Sequence, residues 1–209
     1  MNLKTRRFQF AGPAGVIEGL RDESAEGTTR RGTAVIAHPH PLFGGTMENK
    51  VVQTLARAFV QSGWVALRFN FRGVGASEGV HDEGRGELAD VLALVAGQAG
   101  EGALAIAGFS FGSFVAAGAA SALWESRTID KIVLVGTAAS RFSVTALPEA
   151  AHDKAIVIHG ESDDTVPLAS VLDWARPQSL PVTVVPGGGH FFHGQLPLLK
   201  SLVTRHLRS

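Results

Sequence analysis

The chain has 209 residues, 45% of them hydrophobic and 18% charged, enough apolar material to bury one sizeable core and too much for a disordered chain. Lys plus Arg and Asp plus Glu balance at 19 each, so there is no basic field to hold nucleic acid or an anionic membrane surface. The absence of cysteine excludes disulfides, thiolate nucleophiles and cysteine zinc sites together.

The N-terminal run MNLKTRRFQF is basic but has no apolar stretch of signal-peptide length behind it, so a cytoplasmic location is expected. RRFQFAG and GVIEGLRDE are alternating runs separated by GPAG, which predicts an antiparallel pair joined by a turn. RGTAVIAHP reads as an apolar strand. In TMENKVVQTLARAFVQSG, residues Val51, Val52, Leu55, Ala56, Phe59 and Val60 share one helical face, with Thr46 as the predicted cap and Gly63 as the stop.

The strand WVALRFNFR, the glycine-rich loop GVGASEG and the helical pattern GELADVLALVAGQ follow. Gly102–Trp124 is uncharged and long enough to cross a bilayer, but glycines and serines dilute it. Its β-type residues ALAIAGF give way to SFVAAGAASALW, which predicts a strand, a sharp turn and a buried helix. KIVLVGTA, AIVIHGE and VTVVPGG read as three further buried strands, with a helix over LASVLDWARPQ between the last two and a final helix over LPLLKSLVTRHLR. Strands that are apolar throughout and alternate with helices predict an α/β fold, a mainly parallel sheet covered on both faces, in one domain over residues 1–209.

The pentapeptide GFSFG sets Ser110 between a strand and a helix, the context of a nucleophile elbow. Glycines at 108 and 112 leave room for a cramped turn, and the helix start offers the Phe111 amide to a developing oxyanion. A lone Gly-x-Ser-x-Gly also fits an ordinary strand-to-helix loop. Serine, however, needs a histidine base and a carboxylate to orient it, arriving in the order serine, acid, histidine in loops after later strands. ESDDTVP follows AIVIHG and HFFHG follows VTVVPGGG. Asp163 or Asp164 is then the acid, the other capping a helix, and His190, directly after three glycines, is the base with His193 as rival. His81, His152 and His206 read as surface residues and His159 as a structural hydrogen-bonding residue at a strand end.

HPHPLFGGTMENKVV, RFNFRGVGASEG, GFSFGS, HGESDDTVP and GGGHFFHG, spread over nearly the whole chain, resemble the small capless bacterial α/β-hydrolases of the dienelactone hydrolase-like type. The resemblance implies the α/β-hydrolase fold, an eight-stranded sheet with its second strand antiparallel. It also selects Asp163, which falls on the first aspartate of the family's His-Gly-x-x-Asp-x-x-Val-Pro turn. Dienelactone hydrolases proper use cysteine, so the resemblance supports serine chemistry and leaves the substrate open. By the family's pattern the second oxyanion donor comes from the loop after AVIAH. Pro39 and Pro41 lack an amide hydrogen, leaving His40, which is preferred, or Leu42.

His38 and His40 share a metal-like spacing, but without a third ligand nearby no metal is expected. Gly73, Gly75 and Gly79 imitate a dinucleotide fingerprint but come a strand too late, so they read as a structural turn, and no cofactor is implied. Between Ala138 and Ala155 there is room for one short helix and its loops, too little for a cap domain. The expectation is an open site hydrolysing small carboxylic esters, with substrate groups resting on Phe43, Phe109, Phe111 and Phe191 or Phe192. Thioester or peptide cleavage by the same triad, a binding protein without turnover, and a nicotinamide-dependent oxidoreductase are the alternatives. A capless molecule is also compatible with a homodimer.

Overall fold

The alternating runs at the start of the chain form the expected hairpin. In the computed structural model, which describes residues 4–23 and 29–209, β1 (Lys4–Gly12) pairs antiparallel with β2 (Gly15–Glu23). Residues 1–3 of the N-terminal run lie outside the described residues. The apolar runs that follow form β3 (Gly32–Ala37), β4 (Trp64–Phe69), β5 (Ala103–Phe109), β6 (Ile129–Val135), β7 (Ala155–Gly160) and β8 (Val182–Val185). The eight strands lie in the order β1-β2-β4-β3-β5-β6-β7-β8, parallel from β4 onward, with β2 antiparallel to both neighbours.

Parallel neighbours require crossovers, and helices supply most of them. These are α1 (Lys50–Gln61), α2 (Arg85–Gln98), α3 (Phe111–Leu123) and α4 (Leu168–Ala175), and α5 (Leu196–Arg208) closes the chain. Helices α1 and α5 bury one face of the sheet, and α2, α3 and α4 bury the other. Strand β5 is apolar throughout because it serves both layers: Leu104 and Ile106 point to the α2/α3 side, Ala105, Ala107 and Phe109 to the α1/α5 side.

Helix α1 starts later than the sequence suggests, and its cap is Asn49, not Thr46. The Asn49 side chain accepts from the Val51 amide at 2.9 Å, whereas Thr46 Oγ1 accepts from Glu48 N in the preceding turn. The reason lies in β4 and just beyond it. Arg68 donates to the Met47 carbonyl and Asn70 Oδ1 accepts from the Met47 amide, both at 2.9 Å, so both backbone groups of residue 47 are taken and it cannot join the helix. Arg68 is itself buried and forked onto the fully buried Asp22 of β2, at 2.7 and 3.2 Å. Gly63 follows α1 at φ 86°, the left-handed stop expected of it.

The connection from β6 to β7 carries only a 3-10 turn at Glu149–Lys154. No cap is inserted over the C-terminal edge of the sheet, where β5, β7 and β8 deliver their loops.

Candidate active site

Ser110 occupies the turn between β5 and α3 with φ 58° and ψ −119°, a conformation that side chains rarely adopt. The flanking glycines make that turn sterically feasible. A β-carbon at Gly108 would run into the Gly112 carbonyl, and one at Gly112 into the Ala37 carbonyl of β3. The Ser110 amide donates to the Val135 carbonyl at 2.8 Å, which ties the turn to β6. The hydroxyl ends up in a nearly closed position, the residue being 8% exposed.

His190 Nε2 lies 2.9 Å from Ser110 Oγ, and His190 Nδ1 lies 2.7 Å from Asp163 Oδ2. The glycines before His190 let its loop cross to the serine, and the Gly188 carbonyl accepts from Ser162 N at 2.9 Å, locking that loop to the one carrying the acid. Asp163 Oδ1 accepts the amides of Thr165 at 3.0 Å and Val166 at 2.7 Å, so its carboxylate is fixed by its own turn. Burial alone would raise the Asp163 carboxyl, but the hydrogen bonds from His190 and the Val166 amide outweigh it and hold the group below the usual carboxylate range. Asp164 is exposed and accepts from the Thr165 hydroxyl. His193 is exposed, its ring beside Phe191, with no bond to the serine or either aspartate.

A cavity of 330 Å³ opens beside Ser110, lined mainly by apolar groups. Phe43, Phe111 and Phe191 contribute to its wall as the sequence suggests, with Phe43 76% exposed at the rim. Phe109 does not. The alternation along β5 turns its side chain to the α1/α5 layer, where it is fully buried and supports the His190 ring at 4.9 Å. Phe192 is likewise core. Sequence reasoning missed Ala138, Arg141 and Phe142 from the β6–β7 connection, and Thr165 and Val166 from the acid turn. These come from irregular segments with no periodicity to mark them.

His40 lines the cavity. Its Nδ1 accepts from the Leu42 amide at 3.2 Å, which occupies one of the two candidate oxyanion donors, while the His40 amide and the Phe111 amide have no partner among the described residues. Burial, then the neighbouring His81, push the His40 imidazole below its ordinary pKa. His38 is consumed by backbone: Nδ1 donates to the Pro39 carbonyl at 2.6 Å and Nε2 accepts from the Phe71 amide at 3.0 Å. Neither ring nitrogen is left for a metal.

His81 is no plain surface residue. Its Nδ1 sits 2.7 Å from Oε1 of the fully buried Glu87, which also accepts the Asp82 and Gly84 amides, and its ring packs on His40 and Phe111 at 4.8 and 5.4 Å. Glu87 stands three residues after Gly84, a spacing that marks a helix start and could have flagged this contact. The loop at Gly73–Gly79 is the structural turn expected, bonded back to β2 by Glu78 N to Val16 O at 2.8 Å.

No family model matches the chain. A curated relative, the uncharacterised protein RP471 of Rickettsia prowazekii, is 42% identical over 114 residues, 53% of this chain, and the match spans about half (47%) of that protein. Among solved structures, XC6422 from Xanthomonas campestris, described as an α/β serine hydrolase without a lid, is 32% identical with a TM-score of 0.87, covering 100% of this chain and 95% of that one. An α/β serine hydrolase homologue from Coxiella burnetii is 36% identical with a TM-score of 0.81, covering 97% of each chain. With 32% and 36% identity along nearly the full length of these two neighbours, and with no cap inserted between β6 and β7, the chain belongs to the α/β serine hydrolases that lack a lid.

Proposed function

We propose that this protein is a carboxylesterase-type serine hydrolase acting on small esters through Ser110, His190 and Asp163. The observation that carries the reading is the unbroken hydrogen-bonded line from Ser110 Oγ to His190 to Asp163, at 2.9 and 2.7 Å, beside an apolar cavity. His190 Nε2 takes the Ser110 proton as Oγ attacks the ester carbonyl. Asp163 keeps the Nδ1–H tautomer and offsets the imidazolium charge. The amides of Phe111 and His40 receive the oxyanion, the alcohol leaves with the proton from His190, and water releases the acid by the same route.

The apolar wall of Phe43, Phe111, Phe142 and Phe191 favours an uncharged acyl or alkoxy group, and the absence of a cap favours broad acceptance over tight selection. The test is treatment of the folded protein with a small fluorophosphonate, peptide mass spectrometry to locate the adduct, and an ester panel graded by chain length. The expected result is a single adduct on Ser110, absent after heat denaturation, and turnover that disappears in Ser110→Ala. Turnover that persists in Ser110→Ala, or a native protein that takes no label, refutes the assignment.

A further inference from the structure

His159 ends β7 directly behind the acid turn and is fully buried. Its Nε2 lies 2.9 Å from the Val166 carbonyl oxygen and 3.4 Å from Asp163 Oδ2. Both are acceptors, so Nε2 carries the proton and Nδ1 the lone pair. That Nδ1 is buried without a hydrogen-bond partner. Leucine or phenylalanine would fill the space and strand no ring nitrogen, but would leave the Val166 carbonyl without its donor, so the imidazole is accounted for by its N–H and not by packing alone.

What the imidazole supplies is one N–H aimed at the turn that holds the carboxylate. Val166 is gripped on both sides, its amide by Asp163 Oδ1 and its carbonyl by His159. The same N–H borders Oδ2, the oxygen that accepts from His190. Asp163 and His190 are the titratable groups that act on the ring, and burial, the largest influence, keeps it below its ordinary pKa and neutral.

We propose that His159 is a positioning residue for hydrolysis: by anchoring the Val166 carbonyl and bordering Asp163 Oδ2, it holds the carboxylate where His190 stays aligned on Ser110. The proposal rests on the triad reading above. His159 does not line the cavity, so its loss acts on the chemical step and leaves substrate binding alone.

The test compares wild type with His159→Phe, which keeps the volume, and His159→Gln, whose amide restores an N–H donor. Fluorophosphonate labelling of Ser110 and the kcat and KM for p-nitrophenyl acetate are read from about pH 5 to about pH 9. In His159→Phe, labelling and kcat fall about ten-fold while KM stays within about two-fold of wild type, and His159→Gln recovers at least about half of the loss. The acid limb also moves upward in His159→Phe, because charge on Oδ2 is no longer shared with a second N–H.

Wild-type labelling speed with an unmoved acid limb in His159→Phe overturns the proposal and leaves the triad standing. An unlabelled wild type overturns both. If His159→Phe does not fold, nitrogen-15 NMR of wild-type histidines decides: a neutral Nε2–H ring across the pH range supports the role, and an Nδ1–H tautomer or titration within it overturns it.

Discussion

Protonating His38 should cost the protein a defined amount of stability. Its two ring nitrogens join the Pro39 carbonyl to the Phe71 amide, so the neutral ring bridges the loop after β3 to the segment after β4. Burial pushes its pKa down from 6.5 to about 4. Between those values the unfolded chain binds more protons than the folded one, so the contribution is complete above about pH 6.5 and drains away as pH falls toward 4. At about 1.36 kcal/mol per pH unit the full span is worth about 3 kcal/mol, and the fall from pH 7 to pH 5 about 2 kcal/mol. His159 and His206 are displaced the same way by burial, so the wild-type slope exceeds the share of His38. Asp163, held low, loses its contribution only below the ordinary carboxylate value of 3.8 and stays out of this window. Urea unfolding of wild type and His38→Gln at pH 7 and pH 5 isolates the contribution of His38. Wild type should lose about 2 kcal/mol more than the variant over that interval. Losses equal to within about 0.5 kcal/mol would mean that His38 is not held neutral by burial, and the reasoning fails.

The strained φ of 58° at Ser110 predicts that Ser110→Gly, inactive like Ser110→Ala, is more stable than it by about 1 kcal/mol in denaturant unfolding, after the entropy cost of glycine. Asp163→Asn should lower kcat about 10³-fold or more by disturbing the His190 tautomer, while Asp164→Ala stays within about three-fold of wild type; the reverse ranking in ester turnover would move the acid to Asp164. Gly112→Ala drives a β-carbon into the Ala37 carbonyl and should destabilise by about 3 kcal/mol or more, read as a lower denaturant midpoint. Phe43→Ala, at an exposed rim position, should leave stability within about 0.5 kcal/mol and raise KM for aryl esters about three-fold with kcat little changed, by steady-state kinetics.

How far each part was legible follows from where its cause lies. Ser110 could be read because the elbow demands glycine two residues to either side, where the Gly112 carbonyl and β3 approach, and that demand is written within five residues. The parallel strands could be read because burial on both faces leaves no polar alternation, yet the same property concealed which face each residue of β5 takes. The sequence therefore suggests Phe109 for the cavity, whereas the pleat sends it to the opposite layer. Counting alternate residues back from Ser110 would have separated it from Leu104 and Ile106, but only with the identity of each layer in hand. The cap of α1 depends on a different range of cause. Thr46 and Asn49 are both good caps locally, and the choice is made by Arg68 and Asn70, some twenty residues on, which occupy both backbone groups of Met47. His81 shows the converse: the Gly84–Glu87 spacing was present in the sequence, but only the fold brings the loop against His40 and sets a helix-start carboxylate behind the cavity beside Ser110. Because His40 also lines that cavity, Glu87 is tied to it through His81 and His40 without lining it itself.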